Sequence, residues 1–360
     1  MDHVRGLFVV ALLASTLSAT VRGSDAPGAV FALTNAASGN AVVMYSRGGD
    51  GTLTPAGSFL TGGLGTGGGI SSQNAIIVSD DQRMVFAVNP GSHSISSFII
   101  RPEGLELADT APSGGTNPTS LAFQQGRLYV LNAGIPNNVS GFTVDRKGQI
   151  TPMPGATRPL SAANTNPAQV GISDDGDALI VTERAGNLVD VYTIDADGQL
   201  TGPFVYPSAG PVPFGFAIDK RNTLFVSEAG GGGGASSYRI GDDASLAVVS
   251  GMQMTGQRAA CWAVVTPNGR YGYVTNAGTG NISGFRIGSD GSASLLNADG
   301  VTAVTGGNPT DVALSHNGQY MYVRVGGLGQ IAVFAINADG SLTSLPPLAG
   351  TPALAGLAAY

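Results

Sequence analysis

Short apolar runs bounded by Gly, Asn, Asp and Ser recur along the chain: VFAVN at 85–89, ISSFII at 95–100, VDVYTI at 189–194 and ISGFRI at 282–287. They are rich in β-branched and aromatic residues, and no window of a dozen residues keeps a 3.6-residue apolar period, so the pattern predicts strands and almost no helix. Turn chemistry recurs at two fixed places. SDDQR, SDDG, TPNG and SHNG precede the second strand of a unit, and GDG, ADG, SDG and ADG follow the third. Each unit reads as a four-stranded antiparallel meander.

The units repeat seven times. Aligned on a strand-end position, the register falls on Asn35, Asn89, Asn132, Glu183, Glu228, Asn276 and Val325, at intervals of 43 to 54 residues. Nine or ten residues past each lies one aromatic: Tyr45, Phe98, Phe142, Tyr192, Tyr238, Phe285 and Phe334. Four-stranded repeats of this length cannot bury their faces alone, whereas radial stacking buries each against two neighbours. The fold class expected is all-β, a seven-bladed propeller with the aromatics packed between blades. The first repeat lacks an inner strand of its own. Pro352–Tyr360 resembles the starts of other repeats and leads into no second strand, so it is expected to complete the first blade and close the ring, removing exposed edges.

Composition narrows the partners. The net charge is -7, Lys147 and Lys220 are the only lysines, and the arginines do not cluster, so neither a nucleic-acid backbone nor an anionic membrane is an expected partner. Arg5, the apolar run Leu7–Leu17 and Val21-Arg22-Gly23 have the order of a secretory signal, too short for a membrane span. The expectation is a signal peptide at 1–23, one domain at 24–360, and a secreted or periplasmic monomer. Cys261 is the only cysteine, so no intramolecular disulfide can form.

Strand direction sorts the loops. The short Asp/Gly turns share a lower face, and the longer, more varied loops share an upper face, where a repeat ring is expected to carry its site. Glu183 and Glu228 stand at equivalent positions of successive repeats, with Arg184 beside the first. At one rim they would give a proton donor and a base with separated pKa values. Arg184 or Arg324 would stabilise a developing carboxylate. Asn132, Gln169, Phe214, Trp262, Asn276 and His93 fall in upper segments and are the candidate substrate-binding residues. No cofactor is expected; a variant has the two glutamates, Asn132 and Asn276 hold Ca²⁺. Cys261 is read as a small core residue rather than a nucleophile, and His316 as part of a lower turn. GGLGTGGGIS at 62–71 lacks the Lys-Ser/Thr of a phosphate loop and reads as an upper loop, while Gly230–Gly234 reads as a lid or a plain turn.

YVTN at 273–276, the DG-x-L turns at Asp50-Gly51-Leu53, Asp197-Gly198-Leu200 and Asp339-Gly340-Leu342, and the inner strands opening on Asn-Pro resemble the lactonase family of seven-bladed propellers. That family includes 6-phosphogluconolactonase and the fungal 3-carboxymuconate lactonizing enzyme, and the likeness spans essentially the whole mature chain. It implies hydrolysis or formation of a small lactone. It also implies an acidic residue at a V-x-D-like site, matched by Val181-Thr182-Glu183, and a Pro-Arg-His at the next inner strand. Here that stretch is Gly210-Pro211-Val212-Pro213-Phe214, with neither base, which speaks against a sugar-phosphate substrate. Two functions follow: an exported lactonase-like enzyme acting on a small lactone or organic acid, or a binding propeller that has lost the family site.

Overall fold

A computed structural model describes Met1 and residues 26–360; the expected signal segment, Met1 apart, lies outside them. Except for one 3₁₀ turn at Gly326–Leu328, every regular element in this span is a β-strand. The strands form seven antiparallel sheets: blade I (28–60 with 355–359), II (76–112), III (118–159), IV (167–207), V (213–254), VI (260–304) and VII (309–349). Inner strands touch in the order I to VII and back to I, which makes the ring. The seven-bladed propeller read from the repeat is the observed architecture.

Closure follows the predicted route, with the strand confined to Ala355–Ala359. It pairs antiparallel with Gly28–Leu33 through Val30↔Ala359, Phe31↔Ala358 and Leu33↔Ala355. Arg47, almost fully buried, donates from Nε to the Tyr360 carbonyl at 3.0 Å and from Nη2 to Ala26 O at 2.7 Å. A Cβ at Gly28 would stand 2.1 Å from Tyr360 O, so only glycine lets the start of the first strand lie this close to Tyr360.

Packing between blades is apolar in the middle and hydrogen-bonded at both ends. The seven repeat aromatics are all buried, each in a cluster shared with the preceding blade, as with Tyr192 among Tyr129, Leu131 and Val139, and Phe334 among Tyr273 and Ile282. Toward the lower face a second-strand tyrosine reaches the Asp-Gly turn of the following blade: Tyr129 Oη to Gly198 O at 2.8 Å, Tyr273 Oη to Gly340 O at 2.7 Å, and Tyr322 Oη to Gly51 O at 3.1 Å. The turn glycines have φ of 81°, 87° and 86°. At Gly340 a Cβ would lie 2.5 Å from the Tyr271 ring, so the glycine is needed both for its backbone and for the close approach.

Replacing Tyr273 by Phe leaves the Gly340 carbonyl short of a buried donor and is expected to cost about 1–2 kcal/mol in urea denaturation. The Tyr45 hydroxyl is buried and makes no hydrogen bond. Tyr45→Phe is therefore expected to be neutral or stabilising, and equal losses for the two variants would refute the lower hydrogen bond as the cause.

Candidate functional site

Glu183 and Glu228 both end second strands, Ala178–Glu183 and Thr223–Glu228, and both are fully buried. The expectation that they share a rim with Arg184 is not met. Successive strand residues point to opposite faces of the sheet, so the side chain at this position is aimed at the neighbouring blade rather than at the central channel. Glu183 takes hydrogen bonds from Ser161, through its amide at 3.1 Å and its hydroxyl, and touches Asp190 on its own third strand. Glu228 takes them from Ser208 at 2.7 Å and Ser236 at 2.6 Å. The two partner sets have no member in common.

The asparagines at equivalent positions do the same work. Asn132 donates to Ser113 O at 3.1 Å and Asn138 Oδ1 at 2.8 Å, and Asn276 donates to Asn281 Oδ1 at 2.7 Å and Ser283 Oγ at 2.8 Å. These four groups, the donor set weighed for Ca²⁺, thus sit in four different blades. Among the described residues no three His, Cys, Asp or Glu side chains gather as metal ligands. Asn35, placed in register with them, lies one residue further on. It holds the 62–71 loop instead, donating to Thr66 Oγ1 at 2.9 Å and Gly68 O at 2.7 Å.

The pair in blade IV differs from the rest in charge. Where blades II, V and VI set Ser96, Ser236 and Ser283 beside the strand-end residue, blade IV sets Asp190 beside Glu183. Burial, with the Glu183 charge second, pushes the Asp190 carboxyl up to about 8, so it stays protonated at neutral pH. Burial likewise raises Glu228 to about 7, against the opposing pull of the Ser236 and Ser208 hydroxyls.

The central channel is divided by glutamines. Gln169 accepts from Phe216 N at 2.6 Å and donates to Phe216 O at 3.0 Å. Gln73 spans from blade II to blade VI, donating to Ala263 O at 2.6 Å and accepting from Ala263 N at 2.9 Å. Gln169, expected to bind substrate, is instead engaged at both ends of its amide by Phe216 within this plug. On its lower side opens a cavity of about 420 Å³, lined by Gln73, Asn74, Gln124, Gln169, Asp80, Asp174 and apolar residues, with no cationic residue in its wall.

The upper mouth carries the positive charge. Arg184 donates to Asn166 O at 2.9 Å and Asn166 Oδ1 at 2.7 Å, and its guanidinium lies 5.0 Å over the Phe214 ring. Phe214 packs on Trp262 with ring centroids 5.0 Å apart, and Trp262 Nε1 donates to Ser72 O at 2.8 Å. Trp262 also walls a pocket of about 70 Å³ with Gly69, Ser71, Thr310, Asp311, Arg324 and Gly356. Burial lowers the affinity of both guanidiniums for their proton without threatening their charge. Arg184, Phe214, Trp262 and Arg324 thus lie in succession along one mouth.

The other candidates are elsewhere. His93 is exposed in a blade II loop, accepting from Asn117 N at 3.1 Å, away from the pocket wall. The Cys261 thiol is buried, which pushes it up to about 12 and leaves no thiolate for nucleophilic work. Gly230–Gly234 is a tight turn closed by Gly233 N to Gly230 O at 3.0 Å, the plainer of its two readings. Asp311 was missed, although it is the one acid among the residues that open the inner strands at Asn117, Asn166, Pro213, Ala260 and Asn308.

The family model described as lactonase, seven-bladed β-propeller, matches residues 28–158 and 137–229, and the observed ring carries the same architecture through 349 and the closing strand. The chain belongs to the lactonase family of seven-bladed propellers. Among solved structures, it is similar to the periplasmic gluconolactonase of Pseudomonas aeruginosa, at 18% identity and a TM-score of 0.76, covering 93% of this chain and 99% of that one. A candidate 6-phosphogluconolactonase of Bacteroides fragilis is similar at 19% identity and a TM-score of 0.70, covering 93% and 98%. At these identities the likeness is one of fold. No curated protein matches the sequence. No helix among the described residues is long and apolar enough to cross a membrane.

For this lactonase-family chain the buried acids fix a pH dependence of stability. A carboxyl whose folded pKa is raised contributes most below its unfolded value near 4, and that contribution is lost as pH rises through the folded value. The melting temperature of the wild type is expected to fall between pH 5 and about pH 8.5. Asp190→Ser, which copies the neighbouring blades, is expected to flatten that fall; an unchanged slope would show that the Glu183–Asp190 pair does not set it.

Proposed function

We propose that this chain hydrolyses a small lactone at the upper mouth of its channel. The observation that carries the reading is the pocket in which Arg324 and Thr310 meet beside Trp262, inside a fold of the lactonase family. Ester hydrolysis builds negative charge on the carbonyl oxygen, and a fixed guanidinium in a water-poor pocket stabilises that charge more than it does the neutral ester. About 70 Å³ admits the carbonyl end and a water, while the remainder of the ring stays at the open rim near Arg184 and Phe214. The name of the Pseudomonas aeruginosa relative points to a gluconolactone-like, polyhydroxylated ring. The absence of Arg and His from Gly210–Phe214 favours a substrate without a phosphate. In this reading Glu183 and Glu228 act on the scaffold and not on the ester. The relative's periplasmic location, together with the basic-apolar N-terminus, supports export.

The same absence favours a second reading, in which the mouth binds a hydroxy acid and does not turn a lactone over. A pH-stat panel of γ- and δ-lactones separates the two. The expected result is turnover by the wild type, a loss of about 10²-fold in kcat/KM for Arg324→Gln, and changes within about threefold for Glu228→Gln. No turnover above the spontaneous rate on any member, or equal rates for wild type and Arg324→Gln, would reject hydrolysis at this pocket.

A further inference from the structure

The channel-facing position of the inner strands is occupied by Ser120, Gln169, Gly215, Trp262, Asp311 and Gly356 in blades III to VII and I. Small residues leave space there, and Gln169 and Trp262 fill it with side chains whose polar atoms are hydrogen-bonded. Asp311 alone brings an ionisable group. Only 2% of it is exposed, and its backbone stands at φ 96°, where a residue with a side chain is strained. A buried carboxylate and a strained backbone both cost stability, and neither does anything for the pairing of blade VII, where the ladder breaks between Pro309 and Val312.

Several groups favour the ionised form of this carboxyl beside the pocket. Val312 N donates to Asp311 Oδ1 at 2.9 Å, and the Leu357 amide of the closing strand also donates to the side chain. Arg324, anchored on Thr310, is the one charged group that acts on it. Among the described residues, the other elements around the pocket present only Gly69, Ile70, Ser71 and Ser72 from the 62–71 loop and its continuation, Trp262 from blade VI, and Ala355 and Gly356 from the closing strand, none of them ionisable near neutrality. Burial dominates over these favourable partners and pushes the carboxyl up to about 7, the range in which a base is both present and strong enough to take a proton from water.

Resting on the lactonase reading above, we propose that Asp311 is the general base of the reaction and Arg324 its oxyanion partner. Asp311 takes a proton from a water in the pocket as the water oxygen bonds to the lactone carbonyl carbon. The resulting oxyanion faces the Arg324 guanidinium. Collapse breaks the bond between the carbonyl carbon and the ring oxygen, and the departing oxygen receives the proton from Asp311. One water is consumed, one hydroxy acid is formed, and the aspartate is regenerated.

The test uses the best lactone of the panel. Asp311→Asn keeps the shape and the Val312 contact, and it is expected to lower kcat by about 10²–10³-fold with KM within about threefold. The wild-type kcat/KM is expected to rise with pH through a single limb near 7. Arg324→Gln is expected to move that limb to higher pH, since it removes the positive charge that favours the ionised acid. The wild-type profile serves as the test even if Asp311→Asn fails to fold. A variant that loses melting temperature but keeps kcat per folded molecule, a wild-type rate flat from pH 5.5 to 8.5, or an unmoved limb in Arg324→Gln would each overturn the assignment while leaving hydrolysis intact. Absence of wild-type turnover would overturn both.

Discussion

No blade of this ring can bury both faces of its own sheet, so the polar ends of its strands find partners on the blade next door. That constraint explains the repeated phrase of the sequence. In YVTN at 273–276, Tyr273 reaches forward to the Gly340 carbonyl of blade VII, and Asn276 holds Asn281, which donates to Gln257 Oε1 at 2.7 Å on the segment entering from blade V. One short phrase serves the lower end of one interface and the upper end of the other, with the buried aromatic of the third strand between them.

The same constraint separates scaffold from chemistry. Groups at the end of a second strand serve the interfaces whatever their charge, which is why a blade can carry Asn, Glu or Val there and remain a blade. Two carboxyls in contact, Glu183 and Asp190, are tolerated because one keeps its proton. Inner strands line the channel, and residues at the upper ends of second strands reach its mouth. The side chains gathered at the upper mouth accordingly come from Arg184 and Arg324, just after or just before the ends of second strands at the rim, and from Trp262 and Asp311 on inner strands. The wider lower cavity has the volume for a ligand, yet its wall offers no cation to an oxyanion.

The sequence by itself determined the number of blades, the closing strand at the C-terminus and the burial of one aromatic per repeat. Each rests on a local pattern repeated at a fixed period: turn residues, β-branched runs and a constant aromatic offset. It also assigned Arg184, Arg324, Phe214 and Trp262 to the upper face, where they lie, since strand direction alone sorts upper loops from lower turns. The tertiary structure decided which of the residues on that face meet. Glu183 and Glu228 look alike in sequence and point into different interfaces, because side-chain alternation fixes a direction only once the neighbouring blade is in place. Asp311 and Arg324 line one pocket because a bulged inner strand brings the acid to a channel whose width and contents are set by all seven blades together.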